Sequence, residues 1–97
     1  MIDFYLISDE QAKPNKLLEL KWAGRINELT IEQLIEYEVV DSRFDVNTDF
    51  RWGTSMVQKL YKMIMDKNLN SVSEIEKIMQ VLELAYNNQS GLIAYCD

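Results

Sequence analysis

The chain has no histidine, a single cysteine, a single proline and three glycines in 97 residues. The missing histidine removes the commonest general base and the commonest zinc ligand together. With Cys96 alone, a Cys–His nucleophile pair, a Ser–His–Asp triad and an intramolecular disulfide are all unavailable. Cys96 reads as a small buried hydrophobe in a protein of a reducing compartment. Gly24, Gly53 and Gly91 stand far apart, so there is no glycine-rich phosphate loop. No apolar run is long enough to span a bilayer. The opening Met1-Ile2-Asp3-Phe4-Tyr5-Leu6-Ile7 lacks the basic segment of a signal peptide, and the expectation is a cytoplasmic protein. Bases are scarce, 10 against 16 acids. That disfavours nonspecific binding to nucleic acid and to anionic membranes, both of which need Lys and Arg. No catalytic residue, cofactor or metal site is expected.

What the chain does have is a belt of acids. From Glu28 to Asp49 it carries Glu28, Glu32, Glu36, Glu38, Asp41, Asp45 and Asp49, with Arg43 as the only base. The belt's net charge is −6, which is that of the whole chain, so the remainder is neutral. Net charge speaks to solubility before it speaks to partners, and a solvated face is the plain reading. The belt, however, runs into Phe44, Phe50 and Trp52, with Arg51 among them. Aromatics and arginine act as anchors at protein interfaces, while surrounding charge steers approach. Phe44 and Trp52 are the aromatics expected in the core.

Hydrophobic periodicity places the elements. Ile2–Ile7 alternates as a strand, and Lys16–Trp22 alternates again as a second. Ala23-Gly24 reads as a turn, followed by a short extended piece over residues 25–28. Thr30 with Gln33 fits a capping box and opens a helix to about Glu38. In this reading Glu28 precedes the cap, and Glu32 and Glu36 share the helix. Residues 41–53 show no period and read as a long irregular connection, with room for a short strand over 43–46. A second helix begins at Thr54 or Ser55 and runs to about Lys67, with Val57, Leu60, Tyr61 and Ile64 inward. Ser71 with Glu74, and Ser73 with Glu76, offer overlapping capping boxes for a third helix ending near Tyr86. Residues 92–96 form a last strand. The order predicts one α+β domain over residues 1–97. It has a small, mainly antiparallel sheet that includes the N- and C-terminal strands, with two to three helices packed on one face.

Four smaller signals each have a structural reading beside the functional one. Asp45, Asn47 and Asp49 have the spacing that begins a calcium loop, but Phe50 stands where the sharp turn needs glycine and Met56 where a bidentate Glu belongs. Turn-capping explains them as well. Gly53-Thr54-Ser55 beside Arg51 could hold an anion at a helix N-terminus. Met56, Met63, Met65 and Met79 suit irregular core filling as readily as a groove. Glu32 and Glu36 repel at i, i+4 by only about 0.2–0.5 kcal/mol, too little to demand a functional reason.

The expectation is therefore a small acidic protein-binding module for a basic partner protein. Its contact residues are Glu32, Glu36, Asp41, Arg43, Asp45, Asp49, Phe50 and Arg51. In size, acidity and want of catalytic side chains the chain resembles bacterial immunity and antitoxin proteins, and that resemblance implies a basic toxin enzyme as partner. Two other readings stand beside it. One is a small-molecule site or an enzyme using carboxylates of the 41–53 loop. The other is a structural domain that self-associates as a weak homodimer, lysine-bearing helix against acidic belt.

Overall fold

Ile2, Phe4 and Leu6 alternate with Asp3, Tyr5 and Ile7, and this period of two makes Ile2–Ile7 a strand, β1. The computed structural model describes residues 1–14, 19–45 and 47–96. In it β1 lies between β2 (Lys21–Ile26) and β4 (Gly91–Cys96), antiparallel to both. A short strand, β3 (Phe50–Trp52), pairs antiparallel with β4, so the sheet order is β2-β1-β4-β3. Three helices complete the fold: α1 (Glu28–Glu36), α2 (Thr54–Asp66) and α3 (Ser73–Asn87). The central helix, α3, touches both others and crosses β2 and β4, while α2 lies on β3 and β4. The expected α+β architecture, with both terminal strands in an antiparallel sheet, is the observed one.

The ladder puts Phe4 opposite Ala94 on one side and Gly24 on the other. Ile2, Phe4, Ile26, Leu92, Ala94 and Trp52 therefore share the face beneath the helices, and all are buried. They meet Ile31 and Leu34 of α1, Val57, Leu60 and Ile64 of α2, and Ile75, Ile78 and Leu82 of α3. Each such side chain contributes about 1.5–3 kcal/mol on burial, so this layer is the main source of stability. On the other face Tyr5 meets Tyr95 edge-on at 5.8 Å, with the Lys13 ammonium 5.3 Å from the Tyr95 ring.

Four local expectations are corrected. The first concerns the second strand, expected at Lys16–Trp22. Residues 15–18 lie outside the described residues, and β2 occupies Lys21–Ile26, so Ala23-Gly24 is strand rather than turn. The ladder shifts register there, opposite Phe4 and Tyr5. Gly24 sits at φ 154°, and a Cβ on it would come within 2.7 Å of Val81 Cγ2 on α3. Glycine is present because strand and helix touch, not because the chain reverses.

Second, α1 begins at Glu28, with Asn27 as its N-cap; the Asn27 side chain accepts the Thr30 N–H at 3.2 Å. Thr30 is wholly buried, and its hydroxyl donates to Glu74 on α3 at 3.3 Å. Glu74 also receives Lys77, so it is committed elsewhere, and α3 has no side-chain cap. The earlier start places Glu28, Glu32 and Glu36 together on α1. Third, the stretch read as irregular contains β3: Phe50 and Trp52 flank Arg51 in the same alternation as the longer strands, over only three residues. Fourth, no strand runs over residues 43–45; Asp41 to Phe44 is a turn closed by Phe44 N–H to Asp41 C=O at 3.0 Å. Val46 lies outside the described residues.

All three helices end alike. Glu38, Asn68 and Gln89 have φ of 62°, 56° and 51°. Beyond each, the next N–H returns to the helix: Val39 to Leu34 C=O, Leu69 to Ile64 C=O and Ser90 to Ala85 C=O. The Glu38, Asn68 and Gln89 N–H groups bond Ile35, Met65 and Tyr86 C=O in the paired bond. This is the Schellman termination, whose left-handed residue is usually glycine. Gln89→Gly is expected to raise the urea unfolding free energy by about 0.5–1 kcal/mol, and Gln89→Val to lower it. An unmoved midpoint for both would contradict the assignment.

Across β1 and β2, Arg25 donates to both Asp3 carboxylate oxygens, at 2.7 and 3.2 Å. The Arg25 hydrogen bond holds the Asp3 pKa below its ordinary value, with a smaller contribution from the Trp22 side chain, against partial desolvation. A lowered folded pKa means stability that is complete above the unfolded value, about 3.9, and is lost as pH falls through the folded one. Asp3→Asn should flatten the acid limb of a stability–pH curve below about pH 4. An unchanged limb would remove the coupling.

Candidate functional site at the acidic belt

The belt starts on α1 and passes into the segment between α1 and β3. A hollow of about 520 Å³ lies between the end of α1 and the side of α2. The Schellman turn at Glu38 builds it. By reversing the chain, this turn buries Val39 and Val40 and leaves Glu36, Glu38 and Asp41 around the opening. Ile35, Val39, Val40 and Met63 supply apolar surface, and Lys59 of α2 joins the rim. On the same side the Lys67 ammonium donates to Tyr37 C=O at 2.7 Å. Two lysines of the helix expected to meet an acidic belt in a second copy thus already lie against the belt of their own chain.

The eight expected contact residues do not form one cluster. Glu36 and Asp41 line the groove. Arg43 folds back on Asp41 with two side-chain bonds, 3.1 and 2.9 Å, while its N–H gives Asp41 a third at 2.8 Å. The Arg43 side chain, then its N–H, pull the Asp41 pKa down, and Asp41 in turn raises that of Arg43. Both are exposed, so the pair shapes the turn rather than holding the fold. Glu32 is exposed one turn back along α1. Asp45 accepts the Asn47 N–H at 2.9 Å in an Asx turn.

Asp49, Phe50 and Arg51 line a separate, smaller hollow of about 280 Å³ beside Lys13 and Ile93. Asp49 accepts the Cys96 N–H at 2.9 Å, closing the end of β4. The calcium-like spacing therefore serves a turn and a strand end, with Asp45 and Asp49 directed to different partners. Among the described residues no group of three or more Asp, Glu, Cys or His is placed to share an ion. Phe50 is half-buried in an aromatic group, 4.7 Å from Phe44, 5.0 Å from Trp52 and 5.7 Å from Phe4 between ring centres. Trp52 is buried, and Phe44 packs against the core from the loop. Cys96 is half-buried; its thiol donates to Thr48 C=O at 3.2 Å, and burial raises its pKa.

The N-terminus of α2 does hold an anion, and it is the chain's own. Asp9 Oδ1 accepts the Thr54 N–H at 2.9 Å and the Thr54 hydroxyl at 3.0 Å. Arg51 fixes the same loop by donating to Ser8 C=O at 2.7 Å. Gly53, not Thr54 or Ser55, is the N-cap, and it offers no side chain. The cap comes from a loop far back in the chain, where a local motif cannot report it. Sequence reasoning also passed over Glu38 and Lys59 as site residues. The only local sign for Glu38 was its place just after a helix, with no glycine to mark the turn.

Comparison with family models, with curated proteins and with solved structures finds no match. Among the described residues no helix is long and apolar enough to cross a membrane.

Asp9→Ala is expected to cost about 1 kcal/mol of unfolding free energy, and Asp9→Asn, which keeps an acceptor, less. Equal losses from both, or none from Asp9→Ala, would mean that the cap does not anchor α2.

Proposed function

We propose that this chain is a protein-binding module that docks a cationic surface of a basic partner protein through the groove at the end of α1. One observation carries the reading: Glu36, Glu38 and Asp41 rim a hollow with apolar walls from Ile35, Val39, Val40 and Met63. Lysine and arginine have that double character themselves, an aliphatic stem and a charged head. A partner's basic side chain lays its stem on the apolar wall and brings its head to the carboxylates. The wider belt, Glu32 and Asp45 included, supplies a field that speeds approach. Lys59 and Arg43 are the internal cations such a side chain must outcompete. A basic toxin enzyme, neutralised as immunity and antitoxin proteins neutralise theirs, is the kind of partner that size and charge suggest.

The test is tagged capture from the native cell at low salt, with native chain and with the Glu36→Gln/Glu38→Gln/Asp41→Asn variant in parallel. The expected result is a basic protein retained by the native chain, released at high salt, and recovered at least tenfold less with the variant. A partner held equally by both chains across ionic strength would make the belt a solvated face only.

A further inference from the structure

The α2 wall of the groove extends beyond the hollow at the end of α1. Met63 and Lys59 line that hollow, and Met56 stands one turn further back on the same face of α2. Met56 is 41% exposed, and Met63 is half-buried. Two helical turns separate the methionines, about 10 Å along the axis. The wall therefore offers its apolar surface as a strip with a helical repeat. Methionine is unbranched and polarisable, so such a strip moulds to side chains of different shape.

The main chain around the groove is already committed. The N–H groups of Tyr37 and Glu38 bond Gln33 and Ile35 C=O, and those of Val39 and Val40 both bond Leu34 C=O. Tyr37 C=O accepts the Lys67 ammonium at 2.7 Å. The facing wall, α2, pairs its N–H and C=O groups within the helix. Neither wall offers the row of free backbone groups that an added strand needs. A segment that lies down on this apolar strip must satisfy its own N–H and C=O groups, and an α-helix does so internally.

The two walls also differ in charge. Among the described residues Glu36 and Glu38, on the α1 side, make no ion pair and no side-chain hydrogen bond, while Asp41 beside them is held by Arg43. Lys59, exposed on the α2 side, is likewise without an ion pair among the described residues. One flank of the groove is negative and the other positive, over the shared apolar lining of Ile35, Val39, Val40 and Met63.

We propose that the groove is a docking site for an amphipathic helix of the partner, with bases along one flank, an acid on the other and an apolar stripe between them. This rests on the reading of the groove as the site for a basic partner protein, and adds the partner's secondary structure and direction. Apolar side chains two turns apart on that helix meet Met63 and Met56. Its lysines or arginines meet Glu36 and Glu38, and its acid meets Lys59. Reversing the helix would set its bases against Lys59, so a given helix docks in one direction only.

The test titrates the isotope-labelled full chain with three synthetic peptides of about 18 residues, five helical turns. The first has leucine at every third or fourth position, lysines along one flank and a single glutamate on the other. The second is the first scrambled, with no stripe. The third is the first with its glutamate replaced by lysine. The first is expected to gain helicity on binding, read as a circular-dichroism difference. It should shift the amides of residues 35–42 and 56–63, and bind at least tenfold more tightly than the second. Met56→Ser should weaken the first peptide at least threefold and leave the second unchanged. Lys59→Glu should weaken the first and strengthen the third, each at least threefold. Both variants change exposed side chains, and circular dichroism verifies their fold. A scrambled peptide bound as tightly as the first would overturn the helix while leaving the groove a site for basic chains. No binding of the first peptide, shifts elsewhere, or the same response of the first and third peptides to Lys59→Glu would also overturn it. The basic-partner reading fails separately, through the capture experiment with the Glu36→Gln/Glu38→Gln/Asp41→Asn variant.

Discussion

Six residues of β1 pair with six of β4, from Ile2 with Cys96 to Ile7 with Gly91, and this ladder confines everything between them in the chain. Once the two strands are joined, α1, α2 and α3 must lie across the sheet, because only that face carries the continuous apolar layer of Ile2, Phe4, Leu92 and Ala94. A one-residue slip would turn Phe4 and Ala94 outward and Tyr5 and Tyr95 inward, so the core itself fixes the register. Gly91 allows the ladder to run to its end: a Cβ there would stand 2.6 Å from Trp52 C=O on the neighbouring strand.

With the centre fixed, the two sheet edges differ. Next to β3, Phe44 packs from the loop onto the Phe50 ring, and Asp49 accepts the Cys96 N–H at the end of β4. The aromatics of the belt are thereby spent on packing rather than left outward. Among the described residues β2 pairs only with β1, and it carries the exposed Trp22. The acids that keep an outward face are those thrown out by the end of α1. The acidic groove is thus a consequence of where the core's hydrophobic side chains run out.

Much of this fold could be read from the chain, and the misses share a cause. β1, α2, α3 and β4 follow from periodicity because each buries one face along its length. Ala23-Gly24 was misread as a turn because the reason for Gly24 is Val81, on a helix much later in the chain. The cap of α2 was misplaced because Asp9 supplies it from the other side of β2 in sequence. Thr30 looked like a cap and became a buried link to Glu74. β3 was too short to show a period. The belt was legible as charge, but its division was not: whether Asp41 and Asp49 face outward or close turns depends on Arg43, Cys96 and the Schellman turn at Glu38, none of which charge counting weighs.

The most direct test of the acidic groove is kinetic. The association rate of the captured partner is measured by stopped flow against ionic strength, for the native chain and for Glu36→Gln/Glu38→Gln. Steering by the belt predicts a native rate that falls steeply with salt and a variant rate that is lower at low salt and falls less steeply. Superimposable curves for the two chains would contradict the account.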